Sequence, residues 1–198
     1  MAKGRPRTFD INRAIDQAMM VFWRKGFEGA TLDDLTEAMG ISRPSLYAAF
    51  GNKEALFLKS LDRYRESSAS YLQRALQKPV AREVFEDLLN GAINLQSDPL
   101  NPGGCLFVQG ALAVGANAES MRAELASRRS VGEDAIRRRY KRAIREGDLS
   151  PDTNAADLAR FTATLLHGMA VQAAGGDTRK QLLAVARMAF AAFPMPQK

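Results

Sequence analysis

One cysteine, Cys105, and one histidine, His167, are the only residues of their kinds in this 198-residue sequence. A lone cysteine excludes an internal disulfide, and one Cys with one His leaves no ligand set for a conventional zinc site. Long apolar runs are also missing. The longest, Ala18–Trp23 and Met188–Phe193, are six residues each, against the roughly 20 needed to cross a bilayer. The N-terminus, Met-Ala-Lys-Gly-Arg-Pro-Arg, is basic but has no apolar signal core. No export signal is read there, no membrane partner is expected, and the expected location is the cytoplasm. Valine and isoleucine are sparse beside alanine and leucine, and no stretch alternates as a strand would. There is no glycine-rich phosphate loop, metal cluster or nucleophile–base–acid set, so neither an enzyme nor a cofactor is expected.

What is present is ordinary for a soluble globular chain: 46% hydrophobic and 25% charged residues. The length allows one large domain, or a small one fused to a larger one. The net charge is +6, with 11 Lys/Arg against 8 Asp/Glu in residues 1–65 and 17 against 14 in the remainder. This surplus permits nucleic-acid binding without marking either half as the binder.

The apolar pattern is helical throughout, giving about nine helices in an all-α fold. Ile11, Ile15, Met19 and Phe22 form one face of a first helix, about Asp10–Lys25, stopped by Gly26. Thr31 caps a short second helix, with Asp34 placed as in a capping box, and Gly40 ends it. Ser42 caps a third, with Leu46 and Phe50 inward. Gly51-Asn52 leads into a long fourth helix, about Lys53–Gln77, with Phe57, Leu61, Tyr64, Ser68, Tyr71 and Ala75 on its packed face. Further helices are expected at about Ala81–Gln96, Cys105–Val114, Glu119–Glu146, Thr153–Ala174 and Thr178–Phe193. Gly132 is a candidate kink in the seventh. The last two helices are apolar on more than one side, which points to another subunit as partner.

The second and third helices, joined across Gly-Ile-Ser, make a helix-turn-helix over about residues 31–50. Leu35, Met39, Ile41, Leu46 and Phe50 lock the pair, leaving Arg43, Pro44, Ser45, Tyr47 and Ala48 on the outer face for a major groove. Arg43 can reach a guanine edge or a phosphate, and Tyr47 a phosphate. Thr31, Ser42 and Lys53 sit at helix N-termini, where backbone N–H groups favour a phosphate. Lys3, Arg5 and Arg7 can form a basic arm that orders on DNA.

From Ala18 to Leu58 the chain resembles the DNA-binding domain of TetR-type regulators. The resemblance is carried by Phe22, Gly26-Phe27, Thr31-Leu32-Asp33-Asp34-Leu35, Ala38, Gly40-Ile41-Ser42, Leu46-Tyr47, Phe50 and Lys53-Glu54-Ala55-Leu56. It implies a reader over residues 1–52 and a regulatory domain over 53–198, with Arg43, Ser45 and Tyr47 on the recognition helix and Thr31 and Lys53 on phosphates. It further implies a ligand cavity among the middle helices and a homodimer built from the last two. Tyr64, Leu88, Cys105, Phe107, Phe161, Leu165 and His167 are the residues expected at the cavity. Leu158, Phe161, Leu165, Met169, Leu182, Val185 and Ala189 are those expected at the dimer contact. The implied function is a repressor released from a palindromic double-stranded operator by a small-molecule effector. An activator of the same architecture shares all these features. A fused enzyme lacks its motifs, and a purely structural DNA binder has no use for so large a second domain.

Three features invite other readings. The run Arg137-Arg138-Arg139-Tyr140-Lys141-Arg142 suggests a second nucleic-acid site, but reads better as a solvated helix face with Tyr140 inward. His167 lacks the companions of a catalytic base. Cys105, near a helix start, could be a low-pKa redox or electrophile sensor. Leu106 and Phe107 suggest instead an apolar setting that raises its pKa.

Overall fold

The computed structural model describes residues 9–112 and 119–194. Among the described residues there are ten α-helices, one 3-10 turn and no strand. The helices are α1 (Ile11–Gly29), α2 (Leu32–Met39), α3 (Arg43–Phe50), α4 (Lys53–Glu66), α5 (Tyr71–Leu76), α6 (Ala81–Gln96), α7 (Leu106–Leu112), α8 (Glu119–Arg145), α9 (Ala155–Ala174) and α10 (Arg179–Ala192).

Local chemistry sets the boundaries of the first four. Asp10 caps α1, accepting from the amides of Asn12 and Arg13. Gly26 interrupts α1 at φ 70° and ψ 179°, a conformation essentially reserved for glycine. Phe27 then packs back on Phe22 and Phe57. The Thr31–Asp34 capping box forms in full: Asp34 N–H donates to Thr31 Oγ1 at 3.1 Å, and Thr31 N–H to Asp34 Oδ2 at 3.0 Å. Gly40 closes α2 in the left-handed region. Ser42 caps α3, and Asn52 Oδ1 caps α4 by accepting from Ala55 at 2.7 Å.

The helix expected over Lys53–Gln77 is two helices, so the described residues hold ten rather than nine. The break falls on a serine cluster. Ser67 Oγ donates to the Arg63 carbonyl at 2.7 Å, and Ser70 Oγ to the Ser67 carbonyl at 2.6 Å. Hydroxyls that bond the preceding turn compete with the helical ladder, and here the chain passes through a 3-10 turn, Ser68–Ser70. Ala75 still faces inward beyond the break. By contrast, α8 runs unbroken through Gly132, where a kink was expected.

Two apolar cores result. The first takes Phe22 and Trp23 of α1, Leu35 and Met39 of α2, Leu46 and Phe50 of α3, and Leu56, Phe57, Leu61 and Tyr64 of α4. It continues into Leu106 of α7 and Leu125 of α8. The second joins α6, the later part of α8, α9 and α10 through Phe85, Leu88, Ile136, Tyr140, Leu166, Met169 and Leu182. Helix α4 thus belongs to one core that runs from the reader into α7 and the first part of α8. A bidentate ion pair, Arg63 to Asp16 at 2.6 and 3.0 Å, fixes α4 to α1. No helix among the described residues is long and apolar enough to cross a membrane.

Candidate nucleic-acid interface and interior cavity

The outer face of α3 is open. Ser42, Arg43, Pro44 and Ala48 are exposed, and Tyr47 is 47% exposed with its ring outward. Ser45 is half-buried, its hydroxyl 2.9 Å from that of Ser42. Pro44 lies in the first turn of α3, where its missing N–H has no helical partner to lose. Arg43 is held by Asp33 of α2, with Nη2 donating at 2.7 Å and Nε at 3.1 Å. Sequence reasoning missed this pair, which joins the first turn of α2 to the first residue of α3 across ten positions. Thr31 is exposed at the head of α2. Lys53 opens α4 with its ammonium 4.6 Å from the centre of the Phe27 ring, and partial burial pulls its pKa down. Lys3, Arg5 and Arg7 lie outside the described residues.

A cavity of about 240 Å³ lies where α5, α6, α8 and α9 meet the start of α7. Cys105, Phe107 and His167 are on its wall, with Tyr71, Leu72, Leu76, Leu95, Gln96, Arg129, Gly132, Ile136 and Leu166. Tyr64 stands behind this wall, its ring 5.1 Å from that of Phe107. Its hydroxyl is buried beside the Cys105 sulfur without a well-formed hydrogen bond. The other expected cavity residues do not line it. Leu88 is buried in the second core, Leu165 packs at that core's margin, and Phe161 is 38% exposed, stacked on Phe85. Their helical faces point at neighbouring helices or outward, which the apolar pattern alone does not distinguish.

Two polar members of the wall, Arg129 and Gln96, were not anticipated, yet they left a signal. On α8 the inward stripe runs Leu125, Arg129, Gly132, Ile136, Tyr140, so Arg129 occupies an apolar position. On α6 the stripe of Leu88, Leu89, Ala92 and Ile93 ends at Gln96, which is buried. Burial pushes the Cys105 thiol up, and neighbouring amides and the Arg129 charge offset this only in part. Burial likewise holds the His167 imidazole below its ordinary pKa, helped by the charge of Arg129.

The cavity wall is joined to α1. Trp23 is buried and its Nε1–H donates to the Gly103 carbonyl at 3.0 Å. Its ring meets Tyr64 edge-on at 4.9 Å, and Tyr64 in turn meets Phe107. Gly103 and Gly104 both have positive φ. A Cβ on Gly104 would come within 2.9 Å of the Ala170 carbonyl of α9, so this turn is packed too closely for any other residue.

Of the residues expected at the dimer contact, Leu158, Met169, Leu182 and Ala189 are buried within the protomer. Phe161 and Val185 are open on α9 and α10, together with Val171 and Met188. The basic run of α8 divides as its sequence suggests. Tyr140 is buried, Arg137 and Arg142 pair along the helix with Asp134 and Glu146, and Arg138 and Lys141 are exposed. Arg139 is the exception, buried and donating to the carbonyls of Lys78 and Pro79.

Known proteins agree with this architecture. Residues 14–59 match the model of the bacterial regulatory proteins of the tetR family, and residues 79–190 that of the tetracyclin repressor-like C-terminal domain. The HTH-type transcriptional repressor BdcR of Escherichia coli is 30% identical over 190 residues, covering 94% of this chain and 90% of BdcR. The repressor ComR of the same organism is 29% identical over 187 residues, covering 93% and 89%. A cysteine mutant of the TetR family regulator CifR, solved with 26-base-pair operator DNA, superposes with a TM-score of 0.92 at 43% identity, over 96% of this chain and 100% of that one. With both parts of the chain matched, and helix-turn-helix regulators rather than enzymes as its relatives, this protein belongs to the TetR family of bacterial transcription regulators.

Proposed function

We propose that the protein is a homodimeric repressor that a small molecule, bound in the interior cavity, releases from a palindromic operator. Residues 1–52 serve as reader and 53–198 as the regulatory part, and the cytoplasm is the place of action. Arg43, Pro44, Ser45 and Tyr47 meet the major groove, with Ser42, Thr31 and Lys53 on phosphates and Lys3 and Arg5 in a basic arm. The repressors ComR and BdcR support repression over activation.

The observation that carries this reading is the physical continuity between cavity and reader. Phe107 on the cavity wall, Tyr64 on α4 and Trp23 on α1 meet edge-to-face in series, and the Trp23 indole is tied to the turn that precedes Cys105. A molecule that moves Phe107 or α7 displaces the helix that supports α2 and α3. The two recognition helices of a dimer must sit about 34 Å apart, one helical turn of DNA. An effector that favours another spacing lowers operator affinity by its preference for that state.

Footprinting tests the first half: two matched half-sites one turn apart are expected, and a single isolated half-site overturns the dimer reading. The variant Gly132→Leu tests the second. A Cβ at Gly132 meets nothing within 4 Å, so the added side chain fills the cavity without a backbone clash. It should bind operator and ignore effector. A variant that still responds fully would place the effector elsewhere.

Cys105 supports a second reading, a sensor of electrophiles, because it lies on the same wall. Its raised pKa disfavours the reactive thiolate. If Cys105→Ser abolishes release by an electrophile while leaving release by reversible ligands intact, this second reading gains.

A further inference from the structure

The cavity has apolar walls and an unbalanced charge. Four charged side chains line it: Arg65, Arg128, Arg129 and Glu133. Arg128 is matched by Asp62 and Glu124, both at 2.7 Å, and Glu133 by Arg160 at 2.9 Å. Among the described residues neither Arg129 nor Arg65 has a carboxylate partner. Arg129 is half-buried, and among the described residues its side chain makes one hydrogen bond, from Nη1 to the Phe107 carbonyl at 2.8 Å. A partly desolvated guanidinium without a counter-charge attracts an anion, and its planar fork suits a carboxylate. Gln96 supplies an independent observation. It is 6% exposed, lines the cavity, and its Oε1 is buried with no hydrogen-bond partner. An unpaired buried acceptor calls for a donor from whatever fills the space.

We propose that the effector is a small carboxylate with an apolar body and a hydroxyl or N–H group. Its anionic end lies at Arg129, its donor at Gln96, and its body against Leu72, Ile136 and Leu166. The volume bounds its size. A cavity of about 150 Å³ takes benzene, and a water-sized group occupies about 30 Å³. The 240 Å³ here fits an aromatic ring with a few further heavy atoms. This inference rests on the cavity being the effector site.

The test uses the full chain and three probes: para-hydroxybenzoate, benzoate and the neutral para-hydroxybenzamide. Calorimetry should show para-hydroxybenzoate binding at least about tenfold tighter than the amide, as expected for a lost charge-assisted pair. Benzoate should fall between them. Arg129→Gln should erase the preference for the acid, and Arg129→Lys should restore most of it. Gln96→Leu should erase the difference between para-hydroxybenzoate and benzoate. Circular dichroism establishes that each variant is folded. Equal binding of acid and amide, no binding of any probe at millimolar concentration, or an unchanged preference in Arg129→Gln overturns the proposal. Operator release is measured separately. If the acid binds through Arg129 but leaves operator affinity unchanged, the anion site stands and the effector reading fails. If the amide releases operator and the acid does not, the effector reading stands and the anion site fails.

Discussion

At the scale of single residues, Arg43 and Lys53 should behave differently. The Arg43–Asp33 pair is exposed on both sides, so it holds the side chain in place at little energetic cost to break. DNA can therefore take Arg43 from Asp33. If it reads a base, Arg43→Ala should weaken operator binding by roughly 1–3 kcal/mol and relax one operator position. Lys53→Ala should instead weaken all sequences alike and flatten the slope of log K against log salt by about 0.9, the release of one counterion. Equal losses on every sequence for both variants would remove the base-reading role. Asp34 makes a prediction about pH. The hydrogen bond from Lys25 at 2.6 Å, together with those of the Thr31 cap, holds its carboxyl down at about 2. Its pKa is depressed on folding, so the stability it adds is complete above about pH 4, the unfolded value, and is lost as pH falls towards 2. Urea titrations from pH 5 to 2 should show a steeper fall for the native protein than for Asp34→Asn, and parallel curves would count against the linkage.

At the scale of elements, most of the architecture was legible because caps and breakers are local. Thr31, Gly40, Ser42 and Asn52 each end or start a helix through groups within a few residues. The break between α4 and α5 was less legible. Its apolar rhythm continues across Ser67, while serine hydroxyls compete there for the carbonyls of the ladder. The cavity was legible in part. Cys105, Phe107 and His167 could be named, but which faces of α6, α8 and α9 surround empty space depends on how the helices cross. Gly91 illustrates this dependence. It reads as a mild flaw in α6, yet a Cβ there would lie 2.4 Å from the Tyr71 ring and 2.8 Å from its Cβ. The glycine lets α5 approach closely enough for Tyr71 to form a cavity wall. Gly91→Ala should therefore destabilise the protein by about 1–3 kcal/mol, the cost of overpacking, despite alanine's better helix propensity. Gly132→Ala has open space around its Cβ and should stabilise by up to about 1 kcal/mol. Denaturant midpoints of the two variants should move in opposite directions, and movement in the same direction would show that propensity, not packing, governs both sites.

At the scale of the whole molecule, the chain buries one side of its last two helices and leaves the other open. Leu158, Met169, Leu182 and Ala189 belong to the protomer's own core, so charging any of them would unfold the chain and say nothing about assembly. The informative positions are those that remain open when the protomer is complete. Val185 is 42% exposed and Met188 76% exposed on α10, with Phe161 on α9. Apolar side chains left in water on two neighbouring helices point to a contact surface, and a two-fold arrangement would place each such face against its copy. Val185→Asp should then bring two carboxylates into one apolar contact while leaving the protomer's core untouched. Sedimentation should find a monomer with native helicity. Because a single recognition helix holds only one half-site, operator affinity should fall together with dimer content and recover as protein concentration is raised. A Val185→Asp protein that remains dimeric would move the interface off α10. One that is monomeric but binds operator as tightly as before would separate DNA reading from dimerisation, and with it the spacing mechanism on which release by an effector depends.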